Sequence, residues 1–445
     1  MPGLVFCVRF AALLTSPSPS GDAEAILRSP SRHKSDITVM ISLVLAAVLF
    51  SPFLYHSFTQ RLAFPSDSDQ DQYLKEAKIT GDQFRFAKVR QLYSSWLAGI
   101  YVIGGKDLRR AFYSEKTTSV LLLGMLVAFL GLKLFDARTA LLLFIWVLNC
   151  KYLMTEPNGS HALAASMWVA SVLCFYLPIR AAVLPASLLI LVLSLKTREE
   201  TIVPLLFIVS CLVIRAAYHW KRGTKLDRPA PASTKYWIGG VIIVAAMWGL
   251  FAARPNNLTS PYFSILIRTE FATTYVHRTG LRDQLPGRKA WVLEAWDVTY
   301  NEKLPGVKND WDLIRLYPRE ELANIVYNIR ITPRVAGAMF LAFDYPKLML
   351  AAFFLYFISF IIWRGSNGIF QRWRPIPAEI SSLLIIWGIG SFLVLAVVVP
   401  LYISSRHYVQ LIPLEIIVTT FIIRVVMSKI LSLIRPSSRQ LSALP

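Results

Sequence analysis

Apolar residues in this chain come in blocks of roughly 17–25, separated by shorter polar stretches. A block of that length crosses a ~30 Å hydrocarbon layer as a helix. The pattern predicts spans over Ile37–Phe58, Thr118–Leu134, Thr139–Met154, His161–Leu177, Ala181–Leu195, Thr201–Trp220, Tyr236–Ala253, Pro346–Trp363, Ile380–Ile403 and His407–Leu433. The expected fold class is all-α, a polytopic transmembrane helical bundle of about ten helices. Pro178, Pro185 and Pro204 flank or interrupt several blocks and leave that count open by one.

Two polar segments are too long for simple turns. In Thr59–Thr117, the first outer loop, Tyr73, Ala77, Phe84, Ala87, Val89, Leu92, Trp96, Leu97 and Ile100 alternate with charged neighbours. That pattern predicts amphipathic helices lying in the membrane interface. Arg254–Asp344 is the larger outer segment, between spans seven and eight, and is too polar to span. Within it Pro318 suits a first helical position and Glu320 and Glu321 suit the positive helix end, while Pro333 is expected to stop that helix. The organisation is then a tail over 1–36, a transmembrane module over 37–253 containing the 59–117 loop, an extracytoplasmic region over 254–344, helices over 345–433 and a tail over 434–445. The apolar run Gly3–Leu14 is too short to span, is broken by Arg9 and has no basic leader before it. It reads as a disordered cytoplasmic tail, compatible with a translation start placed too early.

Charge fixes the expected orientation. The chain carries a formal net charge of +20, spread over short loops and not along one face, which argues against nucleic acid as a partner. Placing both termini in the cytoplasm puts Arg28, Arg32, Lys34, Lys133, Arg138, Arg180, Lys221, Arg222, Lys225, Arg228, Arg364, Arg372, Arg374, Lys429, Arg435 and Arg439 inside. The basic residues of the 59–117 loop run the other way, at a loop length where the rule weakens. The expected location is a multi-pass protein of the cell (inner) membrane. The four cysteines, Cys7, Cys150, Cys174 and Cys211, show no paired spacing and read as small buried hydrophobes.

On this topology four polar sets converge on the outer face: Asp67, Asp69 and Asp71; Glu156 with His161; Lys196-Thr-Arg198-Glu199-Glu200; and Ser404-Ser-Arg406-His407-Tyr408. Ionisable groups at that depth are costly unless paired, which marks them as candidates for function. Carboxylates can act as a general base and Lys or Arg can hold a phosphate. Each set also has a plain reading. The Asp cluster can cap a helix over Gln72–Ala77, Lys196–Glu200 can be an interface anchor, and the two histidines lack any metal-ligand spacing. Arg215 and Arg424 are expected to snorkel towards the cytoplasmic side. Glu415, about two turns inside the last span, is expected to pair or to line a cavity.

Three short motifs in this order resemble the integral-membrane glycosyltransferases of the C-type fold, among them protein O-mannosyltransferases and bacterial enzymes that use polyprenyl-phosphate sugars. Asp69-Gln70-Asp71-Gln72-Tyr73 is similar to an Asp-Glu-x-x-Tyr motif of the first outer loop, with Gln70 in place of the second acid. Lys196-Thr-Arg198-Glu199-Glu200 resembles a mid-chain basic-acidic turn, and Arg406-His407-Tyr408 followed by Pro413 resembles a late Arg-x-Tyr. The resemblance implies that Asp69 is the general base on an acceptor and that the sugar is transferred with inversion. Asp67, Asp71, Tyr73, Lys196, Arg198, Glu199, Glu200, Arg406, His407 and Tyr408 would bind the donor phosphate or substrate. No cofactor or metal is implied, since Arg and Lys can hold the leaving phosphate, although the acidic loop has the chemistry for a divalent cation. The implied partners are a polyprenyl-phosphate-linked donor, a glycan, lipid or protein acceptor, and membrane lipid. Two other classes compete. A polysaccharide polymerase or O-antigen-type ligase would rely on Arg268, His277 or Arg282. A transporter would rely on polar groups near the bilayer centre, of which Glu415 and Asn149-Cys150-Lys151 are the candidates.

Overall fold

The computed structural model describes residues 30–65, 69–85, 91–156, 159–174, 180–197, 261–285, 291–366 and 412–434, and every regular element among them is helical. The expected spans over Thr201–Trp220, Tyr236–Ala253 and Ile380–Ile403 lie outside the described residues.

Helix α1 (Pro30–Arg61) buries Leu43, Ala47, Leu54 and Phe58 while Ile41, Val44, Leu45, Val48, Leu49, Phe50 and Phe53 stay exposed. The buried residues recur at helical spacing, so one stripe packs inward and the rest of the surface is apolar too. Helix α2 (Asp69–Gln83) and helix α3 (Gln91–Ile103) pack as a hairpin against α4 (Leu108–Leu134). Tyr93 and Leu97 are fully buried, so α3 belongs to the bundle core and does not merely coat a membrane surface. Helix α4 opens ten residues before the predicted Thr118. Gly105 and Lys106 turn the chain with positive φ, and Asp107 then caps the helix by accepting from the N–H groups of Arg109 and Arg110. Among the described residues, Ile37–Arg61 and Leu108–Leu134 are the helices long and apolar enough to cross a membrane.

The predicted span Thr139–Met154 is split into α5 (Ala137–Asn149) and α6 (Lys151–Thr155). The break has a cause outside the segment. The Lys151 N–H donates to the Ala342 carbonyl at 2.9 Å and the Asp344 N–H to the Asn149 carbonyl at 2.8 Å. The Asn149 side chain accepts from the Tyr345 N–H and donates to the Tyr345 carbonyl. Helices α7 (Ser160–Leu173) and α8 (Arg180–Thr197) follow and pack on each other.

The larger polar segment folds around its own core of Phe271, Tyr275, Tyr300, Leu304 and Leu313. It contains α9 (Pro261–Thr279), α10 (Trp291–Asp297) continued by a wider turn, α11 (Asp310–Leu316) and α12 (Pro318–Leu341). Helix α12 starts at Pro318 as expected but passes through Pro333. Packing overrides the proline: Val335 and Met339, beyond it, join the core of the main bundle, which offsets the lost backbone hydrogen bond of ~3 kcal/mol scale. Helices α13 (Pro346–Ser366) and α14 (Ile412–Ile434) complete the described chain.

Polar contacts define two rims. At the first, Arg61 pairs with Asp344 and donates to the Tyr345 hydroxyl at 2.6 Å, and the Tyr113 hydroxyl donates to the Leu62 carbonyl at 2.9 Å. The first polar segment thus starts and ends here, and the second ends here. At the opposite rim Arg138 donates to the Ser359 carbonyl at 2.7 Å. There Arg424 binds Asp136 at 2.5 Å, Thr139 Oγ1 at 2.6 Å and the Tyr356 hydroxyl at 3.2 Å. Arg424 therefore does not snorkel to solvent, because Asp136 at the α5 N-terminus offers a partner within reach.

Candidate functional site

The first-rim end of α4 carries Glu115 and Lys116, both with side chains closed off from solvent. Around them lie Gln70 from α2, Tyr93 from α3, Ser119 from α4 and Gly159 ahead of α7. Glu115 Oε1 accepts from Ser119 Oγ at 2.6 Å and Oε2 accepts from the Tyr93 hydroxyl at 3.1 Å. Gln70 Nε2 donates to the Tyr93 oxygen at 3.0 Å, and the Tyr93 contact with Gln70 Oε1 is longer, 3.2 Å. A phenol has one proton, and the carboxylate is the better acceptor, so the chain runs from Gln70 through Tyr93 to Glu115. Burial, and then the Glu115 charge, push the Tyr93 phenol well above its usual range and keep it a donor.

Gly159 closes the cluster. A Cβ at that position would run into both Glu115 carboxylate oxygens, so only glycine lets α7 approach this closely. Gly159→Ala is expected to push the carboxylate off Tyr93 and Ser119 at a cost of about 1–3 kcal/mol. A lower melting temperature of the purified protein would register it, and an unchanged one would mean the turn simply shifts aside. Lys116 sits 6.0 Å above the Phe58 ring, with Glu156 and Glu115 the acidic groups acting on it. Glu156 accepts from the Tyr152 hydroxyl at 2.9 Å, and His161 is buried in the first turn of α7.

The acidic stretch is divided between two faces of α2. Gln70 and Tyr73, three residues apart, face inward, and Tyr73 packs edge-on to Tyr93 with centroids 5.5 Å apart. Asp71 is paired one turn on with Lys75 at 2.6 Å. Helix α2 begins at Asp69. Helix α8 carries Lys196 in its last turn, and Ser194 donates to the carbonyl of Ala164, one turn from Ser160. That end of α8 is thus on the first-rim side. Asp67, Arg198, Glu199, Glu200, Arg406, His407 and Tyr408, and the side chains of Asp69 and Lys196, lie outside the described residues.

Sequence reasoning missed Glu115, Lys116, Tyr93 and Gly159. The signal was present: Glu115-Lys116 is the last ionisable pair before an apolar run of more than a dozen residues and so falls inside the helix. Glu415 Oε2 finds no hydrogen-bond partner. Cys150 and Cys174 are buried and free. Among the described residues no group of three or more His, Cys, Asp or Glu is placed to hold a metal ion. No family model, curated protein or solved structure matches this chain.

Proposed function

We propose that this chain is a multi-pass inner-membrane glycosyltransferase of about ten spans, with both termini cytoplasmic and the first rim facing outward. It would move a sugar from a polyprenyl-phosphate carrier to an extracytoplasmic acceptor. One observation carries the reading: the helix that opens with the acidic stretch is locked by Gln70, through Tyr93, to a buried carboxylate at the rim where both long polar segments end. A base on α2 needs a fixed helix beneath it, because catalysis demands a held geometry and not only the right group.

In this proposal Asp69 takes the proton of the acceptor hydroxyl or amine. The acceptor oxygen or nitrogen then bonds to the anomeric carbon as the bond to the carrier phosphate breaks. The leaving phosphate takes the electron pair, and Lys196, Arg198 and Arg406 are the cations proposed to hold it. Tyr73 shapes the inner wall, and Asp67, Asp71, Glu199, Glu200, His407 and Tyr408 contribute to substrate binding. The test is Asp69→Asn, expected to abolish transfer in proteoliposomes loaded with a polyprenyl-phosphate sugar while expression and insertion stay normal. Wild-type turnover in that variant removes Asp69 as the base. The ligase reading ranks second. Of the residues it requires, Arg268 is stacked 5.0 Å over Trp296 within the smaller helical core, a place packing alone explains.

A further inference from the structure

Helix α12 has two unlike faces. Asn324, Asn328 and Met339 are buried. On the other side Leu322, Val326 and Ile329 are 61%, 57% and 59% exposed, and their spacing of four and three residues makes one stripe. Arg319, Arg330 and Arg334 are exposed as well. At about 100° per residue they fall together along one flank of that stripe. Helix α11 packs against α12 and presents Trp311 and Ile314 to the outside.

The combination of an apolar stripe, an arginine flank and a tryptophan at the end is the composition of a helix held at a lipid–water boundary. What covers the stripe follows from two further observations. The chain leaves α12 through Ala342–Tyr345 at the first rim and enters α13, where Leu348, Leu350, Phe354, Leu355 and Ile362 face outward. The stripe is therefore followed directly by a surface that the membrane reading gives to hydrocarbon. The flanking charge decides between occupants. A second copy docked antiparallel across a two-fold axis would set one arginine row against another, in a chain that already carries +20. An anionic headgroup layer instead meets those arginines with phosphates.

We propose that α12 lies in the headgroup layer of an anionic bilayer, Leu322, Val326 and Ile329 dipping to the acyl boundary and Arg319, Arg330 and Arg334 on lipid phosphates. The smaller helical core is thereby held down beside the first rim and does not stand free in water. This inference rests on the membrane reading and is independent of the transferase chemistry.

The test uses the full chain in nanodiscs of phosphatidylcholine with a minority of phosphatidylglycerol. Val326→Cys, in a Cys7→Ser, Cys211→Ser background, carries an NBD fluorophore, with the unsubstituted background as the labelling control. Leu322→Cys is the second site should the first misfold. The expected result is quenching by lipids brominated near the headgroup and protection from iodide in water. Arg319→Gln, Arg330→Gln and Arg334→Gln together should weaken the lipid quenching at least twofold. A label open to iodide and untouched by brominated lipid overturns the proposal. So does a label protected from both, which would mean a protein covers the stripe, and so does quenching indifferent to the three arginines. None of these readouts involves sugar transfer, so their failure is separate from failure of Asp69→Asn.

Discussion

Glu115→Gln is expected to leave the bundle folded and to lower the proposed sugar transfer by roughly a hundredfold, the scale of a small misplacement of reacting groups. Glutamine keeps the volume but presents an NH2 where Glu115 now accepts from both Tyr93 and Ser119. One of those donors then faces another donor, and the link that fixes Gln70 on α2 is weakened. Glu115→Ala goes further. It removes a buried acceptor of two hydrogen bonds and an acidic group beside buried Lys116, a loss of about 2–4 kcal/mol. Melting in detergent and single-turnover transfer read the two effects separately. Because Glu115 acts through Tyr93, Tyr93→Phe with Glu115→Gln should cost little more than the worse single change. Strict additivity would break the proposed link between them, and full activity in Glu115→Gln would remove the cluster from the function.

Arg424→Gln should cost roughly 2–4 kcal/mol of stability. The arginine joins Asp136, Thr139 and Tyr356, from α14 to the α5 N-terminus and α13, and its guanidinium lies within 5.3 Å and 5.5 Å of the Phe135 and Phe360 ring centres. Removing it takes away the charged partner of the Asp136 carboxylate and leaves the Thr139 N–H and hydroxyl to hold it. The figure is held below the extreme for a buried pair because 29% of the Asp136 side chain remains exposed. Burial tends to raise the Asp136 pKa, but Arg424 and the Thr139 N–H and hydroxyl overcome it and hold the carboxyl below its ordinary value. A depressed pKa contributes stability above the unfolded value, near 3.9, that is lost as pH falls through the folded one. Wild-type melting temperature should therefore drop in strong acid, and Arg424→Gln should flatten that drop. Equal acid sensitivity in both proteins would show that the pair does not govern it.

Much of the architecture was readable from the chain because it depends on local signals. The starts of α7, α8, α12 and α13 fall at or within a residue of their predicted positions, since each is set by a cap, a proline or the edge of an apolar run. The division of α2 into an inward Gln70/Tyr73 face and an outward Asp71/Lys75 face was less legible. Periodicity shows that two faces exist, but which one packs depends on α3 and α4.

The residue pattern was enough to read helices across the described residues, two long polar segments, and the stretch Asp69–Tyr73 as a place where charge meets an apolar block. Tertiary structure alone decided that α5 breaks at Cys150, that α12 continues past Pro333, and that Arg424 finds Asp136 across 288 residues. It also decided that Gln70, Tyr93, Glu115 and Gly159 share one buried cluster. The reason is common to all four. Each requires a partner far along the chain to satisfy a polar group or replace a lost hydrogen bond, and local propensity carries no information about where such partners will be.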